Sequence, residues 1–250
     1  MKKHILLSVL AGLALPVASA LAWEVATPVA GTAITAVPFV ISKSGNYYLA
    51  SNLVFNSPAG AAITITASQV YLDLNGKTLS SGVDTGFNVG VFVFNQKDVT
   101  IQEGDIDGFF YGVYFAPNST DNNAKNTVDN VKFNDNGIGV LSVSGTSNWV
   151  KNCVIDGGDI GIYFWADLGG SRAQNNILEN QKRSERLGFG IALLSQSSGG
   201  VVFDDNVVSK GSSSIGMAMS GTDKYRFDSF VGFPVNSPHV GGTNELADSL

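Results

Sequence analysis

Gly161-Ile162-Tyr163-Phe164 is the stretch on which the fold turns, because its pattern returns along the chain. Glycine, an aliphatic residue or Met, any residue, then a usually apolar one also occurs at Gly90-Val91-Phe92-Val93, Gly112-Val113-Tyr114-Phe115, Gly139-Val140-Leu141-Ser142, Gly190-Ile191-Ala192-Leu193 and Gly216-Met217-Ala218-Met219. Taken in order, the glycines stand 22, 27, 22, 29 and 26 residues apart. A short strand-like signal at a period in the twenties is the mark of a solenoid.

A second pattern keeps step with the first. An apolar anchor is followed five residues later by another apolar residue, at Leu74/Leu79, Ile101/Ile106, Val128/Phe133, Val150/Ile155, Ala173/Leu178 and Phe203/Val208, with a weaker copy from Phe227. Two residues past the anchors stand Gly76, Glu103, Asn130, Asn152, Asn175, Asp205 and Ser229. Gly, Asn and Asp tolerate the left-handed backbone of a tight bend. The offset from anchor to glycine is 11 at Ile101/Gly112, Val128/Gly139 and Val150/Gly161.

Each coil therefore reads as a strand ending at the anchor, a bend, a second strand, a variable turn and the glycine-led strand. The expected fold is all-β, about seven coils stacked into three parallel sheets. With rungs ~4.8 Å apart, seven anchors span roughly 29 Å. Strand alternation predicts that Val113, Val140, Ile162, Ile191 and their neighbours two residues on point inward.

The 250 residues divide accordingly. Residues 1–22 read as a cleaved export signal: Lys2 and Lys3, an apolar run from Ile5 to Leu15, then Ala18-Ser19-Ala20 or Ala20-Leu21-Ala22 as the cleavage site. That run is too short to span a membrane, so no transmembrane anchor is expected after cleavage. Residues 23–69 read as an N-terminal cap with one degenerate coil, 70–231 as the solenoid and 232–250 as a C-terminal cap or tail. The single cysteine, Cys153, excludes an intrachain disulfide and reads as a small buried residue. A net charge of -6 without a basic stripe argues against a nucleic-acid partner.

Tyr47-Tyr48-Leu49, the run Val70-Tyr71-Leu72-Asp73-Leu74-Asn75-Gly76 and the coils with an Asn bend and a Gly-Ile strand resemble exported bacterial right-handed parallel β-helix repeat proteins of the pectate-lyase-like superfamily. The resemblance covers most of the chain after the export signal and implies a right-handed solenoid in a periplasmic or secreted protein. It leaves activity open, because such folds carry many functions. In the superfamily's sugar-cleaving enzymes, the substrate groove commonly lies over the sheet equated here with the glycine-led strands, with Asp, Lys or Arg projecting from it.

Here the outward columns read Phe92, Tyr114, Leu141, Tyr163, Ala192, Ala218 and Phe94, Ala116, Val143, Trp165, Leu194, Ser220, none of them charged. A carboxylate pair ~5–9.5 Å apart, needed to flank a glycosidic bond, is not offered. What the face offers is rings. Phe92, Tyr114, Tyr163 and Trp165 are the candidate substrate-binding residues, suited to stacking on sugar rings. Cover by a loop or by a protein partner are the competing roles.

If a charged active site exists, it lies in the insertion before Gly190, with Glu179, Lys182, Arg183 and Arg186 as its residues, the arginines suited to substrate carboxylates. Asp156-Gly157-Gly158-Asp159 occurs once, so a calcium site there is disfavoured and no cofactor is expected. Asp204-Asp205 reads as part of a bend, Asn118-Ser119-Thr120 as a turn, and His4 and His239 lie at the chain's ends. The leading expectation is an exported polysaccharide-binding protein. A lyase or hydrolase of acidic glycans and a structural or adhesive module remain as alternatives.

Overall fold

The computed structural model describes residues 30–118, 123–182, 190–209, 214–226, 228–231, 239–240 and 243–244. Apolar residues that recur once per coil can be buried only against the coils above and below, and stacking in parallel is what results. All the named elements are strands. They form a nine-stranded sheet and a sixteen-stranded sheet, the latter built from two ladders that meet at a bend. The protein thus has three walls.

The first wall includes Val70–Asp73, the first half of Thr100–Asp107 and of Thr127–Asn134, Trp149–Lys151, Arg172–Gln174, Val202–Asp204 and Lys224–Arg226, seven of its ten rungs among the described residues. The second wall includes Thr78–Ser81, Val154–Asp156, Ile177–Glu179, Val207–Ser209 and Ser229–Val231. The third is the nine-stranded sheet of glycine-led strands, among them Phe87–Phe94, Tyr111–Ala116, Ile138–Val143, Ile160–Trp165, Gly190–Gln196 and Ser214–Ala218. Strands from Thr32 to Ile65 stack as earlier rungs, and His239–Val240 and Thr243–Asn244 pair onto Met217–Ala218 and Lys224–Tyr225 as a later one.

The bends hold the backbone conformation that their residues suggested. Asn130, Asn152, Asn175 and Asp205 have φ of 52, 55, 55 and 55°, and Glu103 joins them at 59°. Asp205 is therefore the bend residue, and Asp204, the last residue of its strand, is buried. Two anchors fall elsewhere than expected. Leu72, not Leu74, stands opposite Ile101, while Leu79 stands opposite Ile106, so the first bend holds two extra residues. At the other end Tyr225, not Phe227, stands opposite Phe203, and Phe230 lies opposite Val208. Ser229 is a strand residue there, and Phe227 lies outside the described residues.

The recurring glycine has a steric cause. A Cβ on Gly112 would lie 2.6 Å from the Gly139 carbonyl oxygen and 2.8 Å from the Phe133 ring. The Gly position and the residue after it both face the core, so strict alternation fails at that point. This explains a correction to the Gly190 copy. Ile160 pairs with Ile191 and Ile162 with Leu193, which puts Ala192, not Gly190, opposite Gly161. Ile191 accordingly packs on the outside with Ile138 and Ile160, and Leu193 takes its inward place. The turn from Leu178 is longer than in earlier coils and re-seats the strand two residues later. The outward columns therefore continue through Leu194 and Ala218, and through Gln196 beside Trp165, in place of Ala192 and Leu194.

Inside, Val91, Val113, Val140, Ile162, Leu193 and Met217 form one fully buried row, beside Phe109, Phe115, Phe133, Phe164 and Phe203. Each such side chain contributes about 1.5–3 kcal/mol. Buried asparagines are satisfied in a ladder that climbs the bend. The Asn176 side-chain carbonyl accepts from the Cys153 N–H at 3.0 Å, and its amide donates to the Val150 carbonyl at 3.1 Å. Asn206 repeats this one rung on, accepting from the Asn176 N–H and donating to the Ala173 carbonyl. Cys153 beneath them is buried, and burial pushes its thiol up to about 12.

Candidate functional site

The exterior of the nine-stranded sheet is built from three outward positions per coil: the residue before the glycine position and those two and four after it. The first was missed by alternation and brings in Tyr111, Ile138, Ile160 and Ile191. Ile138, Leu141, Ile160, Ile191 and Leu194 form an apolar cluster separate from the core, with Tyr111, Tyr114, Val143, Tyr163 and Ala218 packed against it.

Rings run along this cluster in two groups. In the first, Phe87 meets Phe110 at 4.7 Å between centroids, Phe110 meets Tyr111 at 4.5 Å and Tyr111 meets Tyr114 at 5.2 Å. The chain continues from Tyr114 to Phe92 at 5.4 Å and from Phe92 to Phe94 at 5.9 Å. In the second, Tyr163 and Trp165 lie 6.3 Å apart with their planes only 17° from parallel. Register places Tyr114 opposite Leu141 and Leu141 opposite Tyr163, so the two tyrosines stand two rungs apart, ~9.6 Å by sheet spacing. Phe92, Tyr114, Tyr163 and Trp165 thus share one face.

Exposure is graded. Phe94 and Trp165 are 41% and 49% exposed, whereas Phe92, Tyr114 and Tyr163 are half-buried and Leu141 is buried. Burial raises the hydroxyl pKa of Tyr111, Tyr114 and Tyr163, with the neighbouring Tyr114 adding to the effect at Tyr111. All three hydroxyls therefore stay protonated, able to donate. That of Tyr163 donates to the Gln196 side-chain oxygen at 2.8 Å. Past Gln196, a 420 Å³ cleft opens between Leu194–Ser197 and Ala218–Ser220. Beside it Ser197 and Ser220 both donate to the carboxylate of buried Asp223.

The charged candidates are elsewhere. Glu179 ends a second-wall strand, opposite Asp156. Lys182 follows in the turn toward the nine-stranded sheet, its ammonium 3.5 Å from Asp135. Arg183 and Arg186 lie outside the described residues. The Asp156–Asp159 stretch is a tight turn: Gly157 and Gly158 have φ of 75 and 81°, and a Cβ on Gly158 would collide with the Asn136 carbonyl. Among the described residues, no group of three or more His, Cys, Asp or Glu side chains is placed to hold a metal ion.

A further group escaped the sequence reading altogether. Trp149, Arg172 and Lys224 occupy one outward column of the first wall, and Arg226 lies beside Lys224. The signal was available as the residue before each anchor, but only the glycine-led strands were read for outward chemistry.

A family model described as a right handed beta helix region matches residues 89–230. No curated protein and no solved structure matches the chain.

Proposed function

The chain belongs to the right-handed β-helix family, and on that scaffold we propose that it is an exported protein whose aromatic face binds a polysaccharide. The observation that carries this reading is the near-parallel pair Tyr163 and Trp165, partly open to solvent, in one column system with Tyr114 and Phe92. Rings offer apolar area with a polar edge, which suits the mixed faces of a sugar. Two rungs, ~9.6 Å, is near the length of two sugar units, so one glycan chain can touch Tyr114 and Tyr163 together. Gln196, held by the Tyr163 hydroxyl, and the Ser197/Ser220 cleft add hydrogen-bonding groups at the edge of the platform. The outward columns carry no acid or base, so binding needs no cofactor and no bond cleavage is expected.

An export signal in residues 1–22, as their sequence suggests, would carry this activity to the periplasm or outside the cell. A second reading, an interface with another protein, is favoured by Phe87, Phe94 and Trp165, large apolar side chains open to solvent on this one wall. The test is retardation in native gels cast with individual glycans, with product detection alongside. Retardation by at least one glycan, lost in both Tyr163→Ala and Trp165→Ala, is expected. Retardation on none, or retardation unchanged in both variants, sinks the platform and leaves the protein interface. Unsaturated uronate products lost on Lys182→Ala would instead move the site to the insertion.

A further inference from the structure

We infer that the glycan taken by the aromatic face is an uncharged, equatorially 1,4-linked chain lying along the axis of the coil. The inference rests on that face being the glycan site. One outward column runs from Val40 to Ala218, with Phe92, Tyr114, Leu141 and Tyr163 at its middle. Its register is parallel and unbroken over eight rungs, a length of ~34 Å. None of the eight residues is charged. The flanking columns, from Tyr111 to Ile215 and from Phe94 to Gln196, hold no charged residue either.

Two properties of this column select the ligand. The first is charge. A carboxylate or sulfate laid against it would lose water and gain no cation in return, which is costly. The chain's net charge of -6 adds a repulsion of longer range against any polyanion. Sugar hydroxyls need only hydrogen-bonding groups at the border of the column, and Gln196, Ser197 and Ser220 stand there. The second is shape. Equatorial 1,4 links make a flat ribbon that shows the same ring face at every second unit. Tyr114 and Tyr163 stand two rungs apart, ~9.6 Å, and so meet alternate units of such a ribbon on the same face. Leu141 lies under the unit between them. Phe92, with its ring 5.4 Å from that of Tyr114, continues the contact one rung further. Axial links curl a chain and carry it off a column that keeps one register.

Titration calorimetry of the full chain tests this with paired oligosaccharides. Cellohexaose or mannohexaose is expected to bind. The β-1,4-linked hexaglucuronate and hexamannuronate, which differ from them by a carboxylate on each unit, should bind at least tenfold more weakly. Maltohexaose, the axially linked isomer of cellohexaose, should also bind at least tenfold more weakly. The trisaccharide of the preferred series should still bind, and the disaccharide at least tenfold more weakly, because two units cannot reach both tyrosines. Tyr114→Ala and Tyr163→Ala should each lower affinity at least fivefold, with circular dichroism unchanged. Ala218→Lys, two rungs past Tyr163 on the same column, should raise affinity for hexaglucuronate. A hexauronate bound as tightly as its neutral counterpart, maltohexaose bound as tightly as cellohexaose, or a disaccharide bound like the hexasaccharide overturns this inference and leaves the platform standing. So does failure of both neutral hexasaccharides while some other glycan retards the protein in native gels. No binding of any oligosaccharide, with no retardation on any glycan, overturns the platform and this inference together.

Discussion

The first wall and the glycine-led wall share one interior and differ in everything outside it. Inward, Val150, Ala173 and Phe203 on the first and Val140, Ile162 and Leu193 on the third belong to the same buried cluster. Outward, the first wall carries Asp129, Lys151, Arg172, Asp204 and Arg226, paired into bridges such as Lys151 to Asp129 at 3.0 Å. The third wall carries rings and aliphatic residues in the same register positions. Parallel stacking needs only the inward rows and the hydrogen bonds between rungs. It leaves outward columns unconstrained, so their chemistry has to be explained by what they meet.

The sharpest way to break the comparison is to attack what the walls share. Ile162→Asp sets an unpaired charge in the fully buried row and should cost at least about 4 kcal/mol, enough to unfold much of the solenoid. Trp165 stands on one wall and Trp149 on the other, so the fluorescence of single-tryptophan versions should report loss of both faces together. A melt like wild type by circular dichroism would remove Ile162 from the core.

The polar ladder is the next test of a shared interior. Asn176→Ala strips partners from the Cys153 N–H and the Val150 carbonyl and should cost roughly 3 kcal/mol, read from urea unfolding. Leu141→Ala, buried only in the outer cluster, should cost less than Ile162→Ala if the outer face is an addition to the core rather than part of it.

Asp228 sharpens the contrast between the ladder's members. It follows Asn176 and Asn206, and its Oδ1 accepts from the Asn206 N–H at 2.7 Å and from the Asn206 side chain at 2.8 Å. Its buried Oδ2 has no partner, at the place where its predecessors carry an amide that donates to a carbonyl. Burial raises its pKa to about 7, against hydrogen bonds from Asn206 that lower it. The folded form therefore holds a proton that the unfolded chain releases near pH 3.8, and stability falls as pH rises from about 4 to 7. The melting temperature should be higher at pH 5 than at pH 8. Asp228→Asn should flatten that slope and add roughly 2 kcal/mol at pH 8. A wild-type melting temperature independent of pH over this range would contradict the assignment.

The smallest effect belongs to the charged exterior. Lys151→Ala removes a partly exposed bridge to Asp129 and should change stability by less than about 1 kcal/mol in urea unfolding. A larger loss would mean that the first wall's exterior, unlike the third's, helps to hold the fold.

Much of this architecture was legible in the sequence because a solenoid repeats its constraints. Val128, Val150 and Ala173 declare the first wall, and Asn130, Asn152 and Asn175 declare the bend, each confirmed by the next copy. Where a loop changes length, the repeat stops speaking for itself. The Gly190 strand was read two residues out of register because Gly190 resembled the steric glycine that Ala192 replaces. Tyr111, Ile138 and Ile160 were missed as outward residues because alternation breaks where the glycine and the residue after it both face the core. Trp149 and Arg172 come together across rungs, from the position before each anchor, whose residue type is not repeated from coil to coil.

The hydrogen bonds that join one rung to the next all point along the axis of the coil. Tension applied end to end therefore puts the whole load on every interface between rungs, and the weakest of them opens first. Force applied across the axis falls on several rungs in parallel. A glycan lying along the column of Phe92, Tyr114 and Tyr163 and pulled sideways would draw on the stronger direction, making the solenoid a fastener with a grain.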